Sequence, residues 1–178
     1  VNTLRIVKII LVASFIVVLA VIGIYFANPS GTDTLDPRGR LLGYIPYKMA
    51  ASGMAPTLVE GEIIVASTFA YRNSGPQRGD IIVFSYPQDR SVAYVKRVVG
   101  LAGDTLVIES GELVVNGKLV AEPYVDPANR LRDYSLVMQS TVVPQDMLFV
   151  LGDNRDSSND SRFWGYLPRD HVIGKVID

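Results

Sequence analysis

One apolar run constrains this chain more than anything else in it. From Ile9 to Ala27 (IILVASFIVVLAVIGIYFA), 19 consecutive residues carry no charge. As a helix the run is roughly 28 Å long, enough to cross the hydrocarbon core of a bilayer. A secretory signal peptide is the main rival reading, but its apolar stretch is typically ~7–15 residues. Ala27-Asn28-Pro29 is also a poor small-x-small cleavage site. A buried helix of a soluble protein is the blander alternative, and the unbroken apolar surface argues against it. The run is therefore read as a transmembrane anchor over 9–27, with residues 1–8 before it. Arg5 and Lys8 precede the span, and the first charge after it is Asp33. The positive-inside rule then keeps residues 1–8 in the cytoplasm and sends everything after Asn28 outward. Arg38 and Arg40 weaken that asymmetry slightly, being within the counted distance of the other end. Residues 28–40, rich in Pro, Gly, Ser and Asp, read as a linker.

Residues 41–178 are one domain's worth of chain and read as mainly β. Glu62–Ala66, Asp80–Tyr86, Ser91–Val99, Thr105–Glu109, Glu112–Val115 and Met147–Leu151 are short β-branched or aromatic runs punctuated by Gly, Pro, Asp and Asn. Ser110-Gly111 and Asn116-Gly117 are hairpin turn signals, which predict a meander through TLVIE, ELVV and KLV. No segment of helical period and convincing length follows the anchor. The expected architecture is an antiparallel β-barrel or sandwich-like domain.

Composition narrows the chemistry. The chain has no cysteine and a single histidine, His171. That excludes a thiol nucleophile, a disulfide framework and a multi-histidine zinc cage. It also leaves His171 as the sole imidazole available to any Ser-His-Asp triad. Seventeen basic residues against 18 acidic ones give a net charge of −1, which argues against a nucleic-acid partner.

Three clusters carry chemistry. The first, Ala51-Ser52-Gly53-Met54-Ala55-Pro56-Thr57-Leu58, is a small-residue turn that brings a hydroxyl close to a substrate backbone. Alone it is weak, since Ser-Gly is an ordinary turn and Met54 an ordinary core residue. The second surrounds Lys96 and Arg97 in an apolar strand (YVKRVV). Strand alternation turns one of the two inward. A buried lysine loses affinity for its proton, and its neutral amine can then act as a general base where no histidine is at hand. The third is the polar loop Gly152–Arg162 behind the strand MLFVL. Its Asp153, Asp156 and Asp160 could be calcium ligands, but the spacing is not that of an EF-hand and no bidentate Glu closes the loop. The lone Trp164 directly after it suggests that the loop packs on the core.

Taken together and in this order, the clusters resemble the bacterial type I signal peptidases. KRVVGLAGD is similar to the lysine box of that family, with Ala102 where Pro is usual; LGDNRDSSNDSR resembles its C-terminal box, and MAPTLVEGEIIV the region after its nucleophile. The likeness runs from the anchor to Gly174. It implies a membrane-anchored β domain that removes signal peptides from exported preproteins through a Ser/Lys dyad, without metal or cofactor. By this resemblance Lys96 is the general base and Ser158 the hydroxyl that orients its amine. Asp153 belongs to the GDN turn, and Asp160 with Arg162 forms a charged pair near the site. Met54 and Pro56, with Ile82 and Phe84 of the strand Ile81–Tyr86, would line a groove for an extended signal-peptide end. Its partners would be signal peptides and the lipid bilayer. An apolar β-surface at the lipid interface would fit the same picture.

The departure is at the nucleophile. The family places Ser directly before the Met of Ser-Met-x-Pro-Thr, whereas Gly53 precedes Met54 here and the serine is one residue earlier, at Ser52. Ala51 stands where an oxyanion-hole serine is frequent. In an extended segment a one-residue shift points a side chain to the opposite face. Gly53 also supplies the backbone freedom by which a local rearrangement could turn Ser52 inward. Two readings follow: a signal peptidase whose dyad is Ser52 and Lys96 after local adjustment, or a non-catalytic relative that binds extended or export-related peptides.

Overall fold

The computed structural model describes residues 2–32 and 34–177. Asp33, the first charge after the apolar run, lies outside the described residues. The run forms helix α1, Asn2–Ala27, which begins seven residues before the predicted span and carries Arg5 and Lys8 on its first two turns. None of its residues is buried, and it is long and apolar enough to cross a membrane. The segment after it is docked on the β domain: Thr32 is buried and its hydroxyl donates to the Ile173 carbonyl at 2.8 Å.

The domain contains strands β1 (Tyr44–Lys48), β2 (Ile63–Ser67), β3 (Ile81–Tyr86), β4 (Asp89–Gly100), β5 (Thr105–Glu109), β6 (Glu112–Val115) and β7 (Lys118–Leu119). A short helix α2 (Asp133–Leu136) precedes β8 (Met138–Val142) and β9 (Met147–Leu151); helix α3 (Ser161–Trp164) precedes β10 (Leu167–Pro168) and β11 (Val172–Ile177). Seven strands form one sheet in the order β1-β2-β11-β3-β4-β9-β10, and four form a second in the order β7-β6-β5-β8. Every pairing between them is antiparallel.

Both predicted hairpins are present. Ser110 and Gly111 have φ of 52° and 81°, and Asn116 and Gly117 have 53° and 73°. Two consecutive left-handed residues supply the twist that a two-residue connection between antiparallel strands requires. β3 is buried from Ile82 to Ser85 because the sheet is covered on both faces there. Val83 packs with Ile45, Met54 and Ile64 on one side, and Ile82 and Phe84 pack with Val98, Val150 and Leu167 on the other. A third cluster, built from Leu106, Ile108, Leu113, Phe149 and Leu151, joins the smaller sheet to β9. This layering brings the turn between β1 and β2, the middle of β4 and the loop after β9 together at one end of the large sheet.

Candidate active site

β4 presents Lys96 and Arg97 to opposite faces, and both are shielded. Lys96 is only 8% exposed. Its cross-strand partner is Ile82, fully buried, and its ammonium lies 5.4 Å from the centre of the Tyr94 ring. Burial is the main influence on Lys96 and holds its pKa below the usual lysine value; the charges of Asp160 and Asp153 oppose the shift, and Arg162 adds to it. The Nζ donates to the Val95 carbonyl at 2.9 Å.

Arg97, on the other face, makes two hydrogen bonds to Asp153, from Nε at 2.8 Å and from Nη2 at 2.6 Å, and stacks 3.8 Å above the Tyr124 ring. Asp153 also accepts the Thr57 hydroxyl at 2.5 Å. One carboxylate, 1% exposed, thus ties together residues from all three sequence clusters. The other two acidic groups of the loop are equally committed. Asp160 receives the Gly152 N–H at 3.0 Å and the Arg162 guanidinium at 2.8 and 2.9 Å. Asp156 accepts the backbone N–H groups of Leu131 and Arg132. These pairings account for the carboxylates that the sequence left open as calcium ligands.

The first cluster is docked onto this loop through its backbone. The Asn154 N–H donates to the Gly53 carbonyl at 3.2 Å. Gly152 allows that approach: a Cβ on it would fall 2.3 Å from the Gly53 oxygen and 2.2 Å from Ser158 Oγ. Ser158 is 5% exposed, and its Oγ has no hydrogen-bond partner among the described residues. Gly53 itself is buried, whereas Ser52 is exposed. A Cβ built on Gly53 would stand 3.5 Å from Lys96 Nζ and 3.4 Å from the Ser157 carbonyl oxygen.

A cleft of about 320 Å³ opens at this point. Met49, Met54, Val92, Ala93 and Val95 give it an apolar lining, with Lys96 and Gly53 in its wall. Ser52 is absent from that lining, as is the exposed Pro56. Two further sequence expectations need correction. Ile82 and Phe84 are fully buried and do not line the cleft, although they pair across the strands with Lys96 and Tyr94, which do; they pack instead with Val98, Val150 and Leu167. Ile82, as the cross-strand partner of Lys96, helps to shield it from water. Met54, also fully buried, does border the cleft while anchoring the turn in the core.

The model of the family described as signal peptidase, peptidase S26, matches residues 3–177. The chain belongs to this signal peptidase family. It is 37% identical over 142 residues to a signal peptidase I of Leptolyngbya laminosa, a match covering 75% of this chain and 65% of that protein. Over 146 residues it is 38% identical to a signal peptidase I of Bacillus caldolyticus, covering 77% of this chain and 79% of that one. The crystal structure of a signal peptidase I from Enterococcus faecalis V583 aligns with a TM-score of 0.51 and 34% identity, covering 58% of this chain and 98% of the other. The matched region therefore spans slightly less than two thirds of the Leptolyngbya protein.

Several residues that shape this candidate site escaped sequence reasoning. Arg97 had a signal, a second cation beside Lys96 in an apolar strand. Thr57 lay inside a quoted motif without an assigned role. Arg155 and Glu122, buried together with a 2.6 Å ion pair beneath the loop, had none, because 33 residues separate them.

Proposed function

We propose that this chain is a membrane-anchored peptidase that acts on the signal peptides of exported preproteins, with Lys96 as its general base. The observation that carries the proposal is the placement of the lysine amine. It lies in the wall of an apolar cleft, 3.5 Å from where a residue 53 side chain would begin. A neutral amine there can take a proton from an attacking hydroxyl or water and return it to the departing nitrogen. Asp160 and Asp153 counterbalance the ammonium formed in between.

The apolar cleft and its narrow reach fit the extended, small-residue end of a signal peptide. α1 would hold the domain beside the membrane, where such substrates emerge, with residues before the span in the cytoplasm and the β domain outside. The family resemblance assigns Ser158 to orient the lysine amine, with which its hydroxyl makes no hydrogen bond here, and the Asp160–Arg162 pair holds the loop that carries Ser158. Ala51 offers no hydroxyl to a developing oxyanion, which leaves backbone N–H groups of the turn for that task.

The test is cleavage of a preprotein by the full chain in detergent, compared with its Lys96→Met variant. The proposal expects cleavage at the signal-peptide junction that depends on Lys96. A second reading, binding of export-related peptides without cleavage, is favoured by Gly53 at the nucleophile position. It expects the wild-type chain to bind but not cut.

A further inference from the structure

The cleft contains a feature that the Ser/Lys chemistry of the family does not explain. Residue 53 contributes no side chain, and the two atoms that would lie nearest one are polar. Lys96 Nζ and the Ser157 carbonyl lie 3.5 and 3.4 Å from the would-be Cβ, and Ser158 Cα lies 3.8 Å from it. A water needs about 2–4 polar partners, and this position offers two, Lys96 Nζ and the Ser157 carbonyl. Ser52 cannot serve from its present place, because it is exposed and outside the cleft lining.

We infer that the nucleophile in this chain is a water molecule held at the residue 53 position by Lys96 Nζ and the Ser157 carbonyl. Hydrolysis then occurs in one displacement, without an acyl-enzyme. The inference rests on the reading of the chain as a peptidase with Lys96 as base.

The step balances with one water. The Lys96 amine takes a proton from the water as its oxygen bonds to the scissile carbonyl carbon, and the carbonyl electron pair moves onto oxygen. On collapse the C=O re-forms, the C–N bond breaks, and the Lys96 ammonium passes its proton to the leaving nitrogen. The products are a carboxylic acid, an amine and the regenerated neutral lysine. Such a route lacks the advantage of a positioned covalent nucleophile. Restoring a hydroxyl with Gly53→Ser is therefore expected to raise the rate by about 100-fold or more.

The experiment follows cleavage of a preprotein by the full chain in detergent with hydroxylamine added, and weighs the released signal peptide. An acyl-enzyme partitions between water and hydroxylamine and yields a hydroxamate; direct attack by water yields only the carboxylate. In parallel, the chain is treated with a peptidyl fluorophosphonate ending in Ala and its serines are mapped for adducts. The expected result is carboxylate alone and no adduct in wild type, with hydroxamate and an adduct at position 53 in Gly53→Ser. Hydroxamate from wild type, or an adduct on Ser52, Ser157 or Ser158, overturns the water route while leaving the peptidase reading intact. A wild-type chain that does not cleave, beside an active Gly53→Ser variant, overturns both.

Discussion

Gly53 and Lys96 confront each other so closely that a side chain begun on residue 53 would lie 3.5 Å from the lysine amine. Neither residue is held there by the other. Gly53 is fixed through its carbonyl, which accepts the Asn154 N–H, and through its neighbour Met54, which is sealed in the core. Lys96 is fixed by β4 and by the buried Ile82 opposite it. The close approach of Lys96 to position 53 is thus built by backbone and core residues, and it persists with glycine at the position.

That independence predicts that Gly53→Ser is structurally easy. Its new Cβ would meet neighbours at 3.4, 3.5 and 3.8 Å, ordinary contact distances, and the backbone of residue 53 is not in the left-handed region. Removing glycine also restricts the unfolded chain, an effect worth about 0.4–1 kcal/mol. Thermal denaturation should show a melting temperature equal to or above wild type. A large loss would mean that the turn does not sit as described.

Lys96 should oppose stability at neutral pH. Its pKa is lower in the folded chain than in the unfolded one, chiefly through burial, so between those two values the unfolded chain holds the extra proton. Stability then rises with pH across that window; the whole penalty is present below the folded pKa and gone above about 10.4. Asp160 and Asp153 moderate the penalty and Arg162 deepens it. Lys96→Met, similar in length and uncharged, should melt higher than wild type at pH 7, with the gain shrinking towards pH 10. Cleavage by wild type should likewise increase with pH as the amine loses its proton.

The Asp153 carboxylate joins Thr57, Arg97 and the loop, so its loss should be felt across the site. Asp153→Ala leaves Arg97, whose side chain is 11% exposed, without its partner. Removing one member of a buried ion pair typically costs about 3–5 kcal/mol. Denaturant unfolding of Asp153→Ala, Arg97→Met and the double variant should show strong coupling, with the double variant recovering part of the loss. Additive losses would mean that the pair contributes little beyond its packing.

The absence of native cysteine makes orientation directly measurable. Glu109→Cys places one thiol on an exposed residue of the β domain, and Asn2→Cys places one before the apolar span. In intact spheroplasts, a membrane-impermeant maleimide should label the first and reach the second only after permeabilisation. The reverse pattern would invert the proposed topology.

Much of the fold was legible because its signals are local. The apolar run, the two Ser-Gly and Asn-Gly turns, and the strands Thr105–Glu109, Glu112–Val115 and Met147–Leu151 follow from neighbouring residues alone. Strands β1 and β8 were missed for physical reasons: YIPYK carries a proline and MQSTV is largely polar, so neither shows a strong apolar pattern. Within the site, Lys96 was readable as a charge in an apolar strand. Ile82 and Phe84 were misplaced because a continuous apolar run does not say which of its residues reach a cleft, and these two are packed in the core. The convergence of Thr57, Arg97 and Asp153 depends on residues up to 96 apart in sequence and became visible only in the folded chain.

Lys96 is proposed to drive signal-peptide cleavage from the wall of this cleft. The most direct measurement is the product of a preprotein incubated with the wild-type chain and with Lys96→Met, each first shown by thermal denaturation to be folded. Mature protein cut at the signal-peptide junction is expected from wild type and none from the variant. Equal cleavage by both, or none by wild type, would contradict this role.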